Sequence, residues 1–485
     1  MLYELFDRLN ANNVKYVHFK SNEHLEESFC GDTDFDILVD QTDFARYVAV
    51  IESFGFRLFR SVANQSYNGV FDYLLLDAES KKTLHLHSHT VFITGKKFLK
   101  EYHLPIERYL LDNRVLDEKY GIYVLRPEIE LVLLWIRYFS KTTPSEYILK
   151  KGKVGNGYVV ESEWLKGRID STILRKVSFY LLGNDKDLVK RFYYFMMIDN
   201  GYRVTYDVLV RTRKYLELFK TEKIVELKYL QRKSDMAIRY FQQKYMHLPV
   251  PYRRVRLSGG KIVAVIGCDG AGKSTINSFI LDSLRNKTDV FFEYMGSGDG
   301  HCYWYRVPFN LVKNIVLSER DKPESVKNES DTGKKLSIPK IVWGVLLAFE
   351  KKSKLHRVLI SRKKGMIVLC DRYPQTQFMA INDGPLLYDW IHSDNHIKRF
   401  IATWENSVYK NADRIKPDLL IKLMISEETS RERKPNENPV VIKNKIELME
   451  TLKIPAEKEV VVDANLNLDE VMGIVYENIS ECIEG

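Results

Sequence analysis

Residues 261–276, KIVAVIGCDGAGKSTI, constrain the fold of this chain more than any other segment. Five consecutive apolar residues, 262–266, predict a strand buried on both faces, as in parallel sheets covered by helices. Residues 267–274 then fit the spacing GxxxxGK[ST] at every fixed position. A strand, a glycine loop and a helix in this order predict a layered α/β fold with the loop at the carboxyl edge of the sheet.

The glycine loop predicts a binding site for the phosphate tail of a nucleotide. Glycines let backbone N–H groups approach phosphate oxygens closely, and the following helix directs the positive end of its dipole at the same place. Lys273 would neutralise the outer phosphates, and the Ser274 hydroxyl would ligate Mg²⁺. The residues expected to bind ATP-Mg²⁺ are Gly267, Gly270, Ala271, Gly272, Lys273, Ser274 and Thr275.

Residues 258–485 resemble the thymidylate kinase branch of the nucleoside monophosphate kinases. The loop has an acidic residue, Asp269, before GAGK, and in that family this carboxylate lies near the sugar hydroxyl of the acceptor. A later apolar strand ends in Asp-Arg-Tyr, as in the family, and α/β sheets bind ligands at that edge. Asp371 is therefore expected to hold Mg²⁺ through water, and Arg372 to clamp the acceptor phosphate.

Two further segments carry the same resemblance. The segment SEETSRERK begins a predicted helix after the strand KPDLLIKL, and its Arg433 matches the family's lid arginine, which contacts ATP phosphates. The segment VVVDA, 460–464, looks like the last strand of the family, whose loop often lies near adenine.

The acceptor side departs from the family. Thymidylate kinases usually carry an arginine on the helix before the Asp-Arg-Tyr strand, and an ungapped count places Glu350 there, with Lys351 beside it. The usual Ser-x-x-Ala-Tyr-Gln run after Asp-Arg-Tyr is also missing. The acceptor thus stays open between dTMP and another nucleotide or sugar-type compound.

Acidic residues near the N-terminus predict a second site. Lys20-Ser21 follows a predicted strand, and Asp34 and Asp36 lie two apart on another, so that their side chains face the same way. Two carboxylates on one face can hold Mg²⁺ against a nucleoside triphosphate. Residues 1–95 thereby resemble small nucleotidyltransferase-fold domains, in which a Lys-Gly or Gly-Ser turn precedes an Asp-x-Asp strand; Ser21 replaces the commoner glycine.

Histidines take the place where this second family should have its third carboxylate. The predicted strand TLHLHSH, 83–89, places His85, His87 and His89 on one face, where they could complete a metal site of different character. The alternative is a structural or degenerate domain whose acidic strand merely faces solvent.

Pattern changes along the chain predict the domain organisation. We expect a nucleotidyltransferase-like α+β domain in 1–125, a helical domain in 126–250, a linker in 251–260 and a kinase domain in 261–485. Within the helical domain, the Lys- and Gly-rich residues 141–170 predict a loop. The strongly charged residues 319–335 predict a mobile lid.

Composition and charge indicate the kind of surface that the protein has and the compartment in which it is expected. Residues 201–260 hold 14 Lys or Arg against 5 Asp or Glu, an excess equal to the net charge of +9 of all 485 residues. This predicts a solvated basic face in preference to a surface for an anionic partner, such as a nucleic acid or a phosphorylated lipid or glycan. The N-terminus lacks a signal-peptide pattern, the longest apolar run is too short to span a bilayer, and the five cysteines are scattered. We therefore expect a cytoplasmic protein, and the oligomeric state stays open.

Together these motifs predict an ATP- and Mg²⁺-dependent P-loop kinase with a second, nucleotidyltransferase-like site. Such a pairing would suit the making or decorating of a surface glycan. Two alternatives remain, an authentic dTMP kinase and a regulatory ATP-binding protein that docks on nucleic acid. The residues expected to carry phosphoryl transfer are Lys273, Asp371, Arg372, Arg433 and Asp269.

Overall fold

The chain divides into two compact units. The computed structural model describes residues 1–62, 65–183, 185–296, 338–378, 384–435 and 438–485. The first unit comprises Met1–Tyr245, Tyr252–Arg254 and Glu484, and the second comprises Met246–Pro251, Val255–Ile483 and Gly485. The lid predicted in 319–335 lies outside the described residues. The predicted boundary at 125/126 falls inside the first unit and stays a prediction.

A mixed sheet organises the first unit. Seven strands that belong wholly to this unit lie in the order β3-β4-β5-β2-β1-β9-β8. In chain order the strands between residues 1 and 256 are β1 (Tyr16–His18), β2 (Phe35–Val39), β3 (Arg57–Ser61), β4 (Val70–Asp77), β5 (Lys82–His89), β6 (Ile93–Thr94), β7 (Tyr102–His103), β8 (Arg114–Asp117), β9 (Ile122–Leu125) and β10 (Arg254–Arg256). Strands β6 and β7 pair with each other in a separate two-stranded sheet, and β10 has residues in both units. Strand β5 lies parallel to β2 and antiparallel to β4, which brings residues of three strands together at its centre.

Helices cover this sheet and continue beyond it. They are α1 (Leu2–Ala11), α2 (Leu25–Phe29), α3 (Phe44–Ser53), α4 (Glu107–Asp112), α5 (Pro127–Lys141), α6 (Pro144–Leu149), α7 (Asn156–Lys166), α8 (Ser171–Leu181), α9 (Lys186–Met197), α10 (Tyr202–Leu216) and α11 (Val225–Lys244). Pro127 occupies the first turn of α5, where its missing N–H costs nothing. Helix α5 is buried along almost its whole length, and its Trp135 and Phe139 share one apolar cluster with Val17 of β1 and Leu38 of β2.

The prediction of a loop over 141–170 is wrong. Helix α6 begins with a capping box, in which the Thr143 hydroxyl accepts from the Glu146 N–H at 3.1 Å and the Glu146 carboxylate accepts from the Thr143 N–H at 2.9 Å. Helix α7 buries Leu165 and packs against α5. Three of the five lysines that suggested a loop, Lys150, Lys151 and Lys153, are exposed and lie between these two helices.

A parallel sheet flanked by helices forms the second unit, as the sequence predicts. Its strands lie in the order β12-β13-β11-β14-β15, and all neighbours are parallel. They are β11 (Ile262–Gly267), β12 (Val290–Tyr294), β13 (Ile367–Asp371), β14 (Leu419–Met424) and β15 (Lys458–Asp463). The helices are α12 (Lys273–Arg285), α13 (Ile338–Lys363), α14 (His396–Arg414), α15 (Glu427–Arg433), α16 (Pro439–Thr451) and α17 (Leu468–Glu484).

Strand β11 lies at the centre of this sheet and is buried at every residue, which accounts for its unbroken apolar run. Its carboxyl end therefore opens onto the middle of the sheet edge, where the loop 267–272 connects it to α12. Among the helices of the described ranges, none combines the length and the apolar character that crossing a membrane would need.

Candidate functional site

The loop between β11 and α12 needs glycine for two separate reasons. Gly270 and Gly272 have φ of 83° and 85°, in the left-handed region that side chains disfavour. Gly267 lies so close to β14 that a Cβ would stand 2.8 Å from the carbonyl oxygen of Leu423. The first requirement shapes the loop, and the second lets it lie flat against the neighbouring strand.

A cavity of about 570 Å³ opens over this loop. All five predicted catalytic residues line it, and so do six of the seven predicted ATP-binding residues; Gly267 is the exception and ends β11. The lining residues are Asp269, Gly270, Ala271, Gly272, Lys273, Ser274, Thr275, Ile276, Tyr294, Asp371, Arg372, Arg433, Lys434, Ala464, Leu466, Leu468 and Val471. The structure thus gathers residues from five separate segments of the chain around one space.

Lys273 is held by the loop itself. Its ammonium donates to the carbonyl oxygens of Gly267 at 2.9 Å and Cys268 at 2.7 Å. Burial lowers the pKa of Lys273, and the nearby Arg372 lowers it further. These carbonyl contacts keep the buried ammonium at the floor of the cavity.

Asp269 joins two cations at the cavity wall. Its carboxylate accepts from Lys445 Nζ at 2.6 Å and from Arg372 Nη2 at 3.2 Å. Burial opposes ionisation, but Lys445 and the other cations outweigh it and lower the pKa of Asp269. Asp269 therefore carries a negative charge that orients the Arg372 guanidinium. Lys445 on α16 was missed by the sequence reasoning, since a lysine on an amphipathic helix carries no local signal.

The Asp-Arg segment after β13 has an unusual backbone. Asp371 lies beside Val265 of β11 in the strand register, and the next N–H, of Arg372, donates to the Val265 carbonyl oxygen at 2.9 Å. Arg372 has a φ of 67°, in the left-handed region. Non-glycine residues seldom adopt this conformation, and it is concentrated at functional sites. The turn directs Asp371 and Arg372 into the cavity that Ser274 also lines.

On the opposite wall of the cavity, Arg433 bridges two segments of the chain by hydrogen bonds. It is the last residue of α15, and it donates to the carbonyl oxygens of Gly270 at 3.1 Å and Ala464 at 3.2 Å. Ser430, one turn earlier, donates to the Asp269 carbonyl oxygen at 3.1 Å. Beyond Ala464 the lining becomes apolar, with Leu466, Leu468 and Val471. The cavity accordingly has a cationic end and an apolar end.

The helix position where thymidylate kinases, which this segment resembles, have an arginine makes buried structural contacts here. Lys354 pairs with Glu350 at 2.7 Å, and both side chains are buried. Lys354 also donates to the Tyr294 carbonyl oxygen at 2.6 Å, and Lys351 donates to that of Met295 at 2.7 Å. These contacts fix the chain after β12, whose Tyr294 lines the cavity.

In the first unit, the two predicted metal-binding aspartates make different contacts. Asp36 lies within β2 and contacts Lys20 Nζ at 2.6 Å and His87 Nδ1 at 2.9 Å. Asp34 lies one residue before β2, and its carboxylate is 2.8 Å from His85 Nδ1. The structure therefore separates the pair into two neighbouring clusters, and joint binding of Mg²⁺ by Asp34 and Asp36 stays a prediction.

Asp72 is a third carboxylate that the sequence reasoning missed. It lies on β4 and faces His87 of β5 in the strand register, as Asp36 does from the other side. His85 Nε2 contacts Asp72 at 2.9 Å, and so does Arg254 Nε. A carboxylate within the otherwise apolar FDYLLL was the available signal. Burial and Arg254 oppose protonation of His85, but the two carboxylates outweigh them and raise its pKa.

The surroundings of Asp36 are strongly cationic. Burial opposes ionisation of Asp36, but Lys20 and His87 hold the pKa of this carboxyl well below its usual range. Burial and then Lys20 lower the pKa of Lys100 to about 8, and Arg137 acts in the same direction. An anionic ligand near Asp36 would therefore meet several positive groups at once.

The turn after β1 is anchored on helix α5. Ser21 has a φ of 58°, which explains why glycine is commoner here in the family that this segment resembles. Asn22 donates its backbone N–H to Glu130 at 2.9 Å and its amide Nδ2 at 2.6 Å. The Ser21 N–H donates to Glu161 at 3.3 Å. The turn that carries Lys20 is thereby fixed by buried carboxylates.

The basic segment 201–260 includes all of α10 and α11. Some of its cations already pair with carboxylates of the same unit, such as Arg211 with Asp207 at 2.9 Å and Arg239 with Asp235 at 2.6 Å. A nucleic-acid partner stays a prediction.

Comparison with known proteins gives distant relatives. No family model matches the chain. YghR from Escherichia coli strain K12, named an uncharacterized ATP-binding protein, is 27% identical over 214 residues, which cover 44% of this chain and 83% of YghR. YghS from the same strain, also named an uncharacterized ATP-binding protein, is 26% identical over 214 residues, which cover 44% of this chain and 89% of YghS. The chain is thus distantly similar to proteins named for ATP binding.

Among solved structures, deoxyadenosine kinase from M.mycoides with bound dATP aligns with 45% of this chain and 98% of its own length. The sequence identity is 16% and the TM-score is 0.24. A TM-score this low does not establish a common fold.

Proposed function

We propose that the second unit is an ATP-dependent P-loop kinase that phosphorylates a nucleotide or a sugar-type acceptor. The observation that carries this proposal is the cavity over the glycine loop, which all five predicted catalytic residues line. The names of YghR and YghS, both described as ATP-binding proteins, support the ATP part of the proposal.

The shape and charge of the cavity fit a nucleoside triphosphate. The glycine loop and the start of α12 would receive the phosphates, and the apolar residues beyond Ala464 would contact the base. Lys273 and Arg433 would offset charge on the transferring phosphoryl group. Arg372, oriented by Asp269, would hold the acceptor in line.

Mg²⁺ fits the oxygen donors at this site. The Ser274 hydroxyl and the Asp371 carboxylate line the same cavity, and oxygen ligands are those that Mg²⁺ prefers. When bound, the ion would neutralise charge on the phosphate oxygens. Orienting the acceptor and excluding water are tasks of the protein side chains.

The acceptor would be recognised differently from dTMP in a thymidylate kinase. Glu350 stands at the helix position of the thymidylate kinase arginine and pairs with Lys354, so this position offers no guanidinium to an acceptor nucleotide. We therefore favour another nucleotide or a sugar-type compound, in keeping with a role in glycan synthesis. A coupled assay with dTMP decides the alternative, because dTMP-dependent ADP release at a rate typical of kinases would favour the authentic dTMP kinase.

Replacing the loop lysine tests the proposal. Lys273→Ala should abolish acceptor-dependent ATP turnover, because the buried ammonium is lost from the phosphate site, while circular dichroism stays unchanged. Lys443→Ala, which removes an exposed lysine of α16, is the matched control and should retain turnover. Wild-type turnover in Lys273→Ala would disprove the proposed mechanism. A screen of nucleoside monophosphates, sugars and polyols with the wild-type chain would identify the acceptor.

For the first unit, we propose a second nucleotide-binding site of the nucleotidyltransferase type. The cationic surroundings of Asp36, from Lys20, Lys100 and Arg137, support it because they would attract a triphosphate. Nucleotide binding that survives Lys273→Ala but is lost in Lys273→Ala with Lys20→Ala would be the expected result. Complete loss of binding in Lys273→Ala alone would contradict a second site.

A further inference from the structure

Three side chains of the first unit bring potential metal ligands together. One ligand atom each from Asp36, His87 and His89 lies within 4.8 Å of the others. Asp36 projects from β2, and the two histidines alternate along the parallel neighbour β5. Because β5 is central in the sheet, strand pairing on both sides fixes the spacing of this group.

Hydrogen bonds among these three side chains do not satisfy all of their ligand atoms at once. His87 Nδ1 lies 2.9 Å from Asp36 Oδ1 and 3.3 Å from His89 Nε2. A neutral imidazole nitrogen either donates one proton or accepts one, so a single N–H cannot point fully at both neighbours. A cation between the three atoms would accept a lone pair from each of them.

The spacing also matches a metal site. Ligands about 2.0–2.1 Å from a tetrahedral Zn²⁺ lie about 3.3 Å from one another. The distance between His87 Nδ1 and His89 Nε2 is 3.3 Å. His89 is only 5% exposed and meets Phe19 edge-on with ring centroids 5.1 Å apart, so its ring has little freedom to turn away.

We propose that Asp36, His87 and His89 form a binding site for a divalent transition metal of the Zn²⁺ class, with an open position for an exogenous ligand. Two imidazole nitrogens and one carboxylate suit Zn²⁺ and similar borderline ions, whereas Mg²⁺ prefers oxygen ligands. The neighbouring pair Asp34 and Asp72 binds His85 from both sides and lies outside this ligand set. The proposal does not depend on the kinase activity of the second unit.

The contact between Lys20 and Asp36 leads to a second, independent prediction about metal affinity. Its ammonium lies 2.6 Å from the same Asp36 oxygen that contacts His87. A metal ion would compete with this ammonium for the carboxylate. Removing the ammonium in Lys20→Met should therefore tighten metal binding, an effect opposite to that of removing a ligand.

Metal titration of the full chain tests the site directly. The chelator-treated protein, without nucleotide, is titrated with Co²⁺ and followed by its ligand-field absorption, and Zn²⁺ and Mg²⁺ are then added in competition. We expect one strongly bound Co²⁺, displaced by Zn²⁺ and not by excess Mg²⁺. His87→Ala and Asp36→Asn should each weaken binding at least about 100-fold, and Lys20→Met should strengthen it.

Control variants separate this site from adventitious binding. His103→Ala removes a half-exposed histidine of β7 that pairs with Glu107, and it should leave the Co²⁺ affinity unchanged. Lys273→Ala should also leave it unchanged, so a failed kinase proposal would not affect the result. Absence of a Co²⁺ spectrum in the wild-type chain overturns the proposal. So does equal affinity in Asp36→Asn, which changes only one polar atom and is expected to keep the fold.

Discussion

At the scale of single residues, Arg372 combines a strained backbone with a side chain in the cavity. Its φ of 67° costs a residue with a Cβ roughly 1–2 kcal/mol, and glycine avoids that cost. We predict that Arg372→Gly and Arg372→Ala lose phosphoryl transfer alike, by about 100-fold or more, because both lack the guanidinium. Arg372→Gly should nevertheless be more stable than Arg372→Ala by about 1 kcal/mol.

Denaturant unfolding and turnover assays on the two variants check this prediction. The comparison is matched because both substitutions remove the contact with Asp269 and differ only in the Cβ. Arg372→Ala as stable as Arg372→Gly would mean that the left-handed backbone is not strained. Retained turnover in either variant would remove Arg372 from the catalytic set.

The same scale shows which site residues a sequence can predict. Residues of the glycine loop are consecutive, so their spacing alone indicated phosphate chemistry. Asp371 and Arg372 could be predicted because the apolar strand before them ends at the sheet edge. Lys445 and Asp72 could not, because Lys445 reaches Asp269 from a distant helix and Asp72 faces His87 only through strand register. Contacts of this kind depend on the tertiary fold.

At the scale of elements, the sequence predicts the buried strands better than the helices of 141–170. The apolar runs at β11 and β13 predicted both strands closely, because burial on two faces leaves little choice of residue. Composition misled the prediction for 141–170, although Thr143 and Glu146 carry the spacing of a capping box. The strand predicted from Asp34 begins one residue later, at Phe35, so that Asp34 turns toward His85.

Helix α5 introduces a pH-dependent contact with the turn after β1. Burial raises the pKa of Glu130 to about 7, Glu161 adds to the effect, and the Asn22 donors oppose it. The folded chain thus binds a proton that the unfolded chain releases near pH 4.5. We predict that the stability of the first unit falls as pH rises from about 4.5 to about 7, by on the order of 3 kcal/mol, and then levels off for this group.

Glu130→Gln isolates this contribution. The amide does not titrate, so the difference in unfolding free energy between wild type and variant should change across this pH window and stay constant above it. At low pH the protonated Glu130 carboxyl and the Gln amide each offer one carbonyl oxygen to the two Asn22 donors, so the two proteins should be close in stability there. A difference that does not vary between pH 4.5 and 7 would contradict the raised pKa.

At the scale of the whole molecule, the division into two compact units predicts two separable responses to ligands. The residues that line the cavity all belong to the second unit, and Asp36, His87 and His89 belong to the first. A ligand stabilises only the unit whose folded state binds it. Calorimetry of the full chain should therefore show two unfolding transitions that respond independently.

ATP-Mg²⁺ should raise the transition of the second unit. At 100 times its Kd, a ligand adds about 2.7 kcal/mol, which for a domain of this size corresponds to about 5–10 °C in Tm. Lys273→Ala should abolish this shift, because the variant lacks the ammonium at the floor of the cavity, and Lys443→Ala should preserve it. If the same transition moved equally in Lys273→Ala, ATP would bind elsewhere. If the wild-type chain showed a single unfolding transition in place of two, the units would unfold as one, and the division into two compact units would not hold for stability.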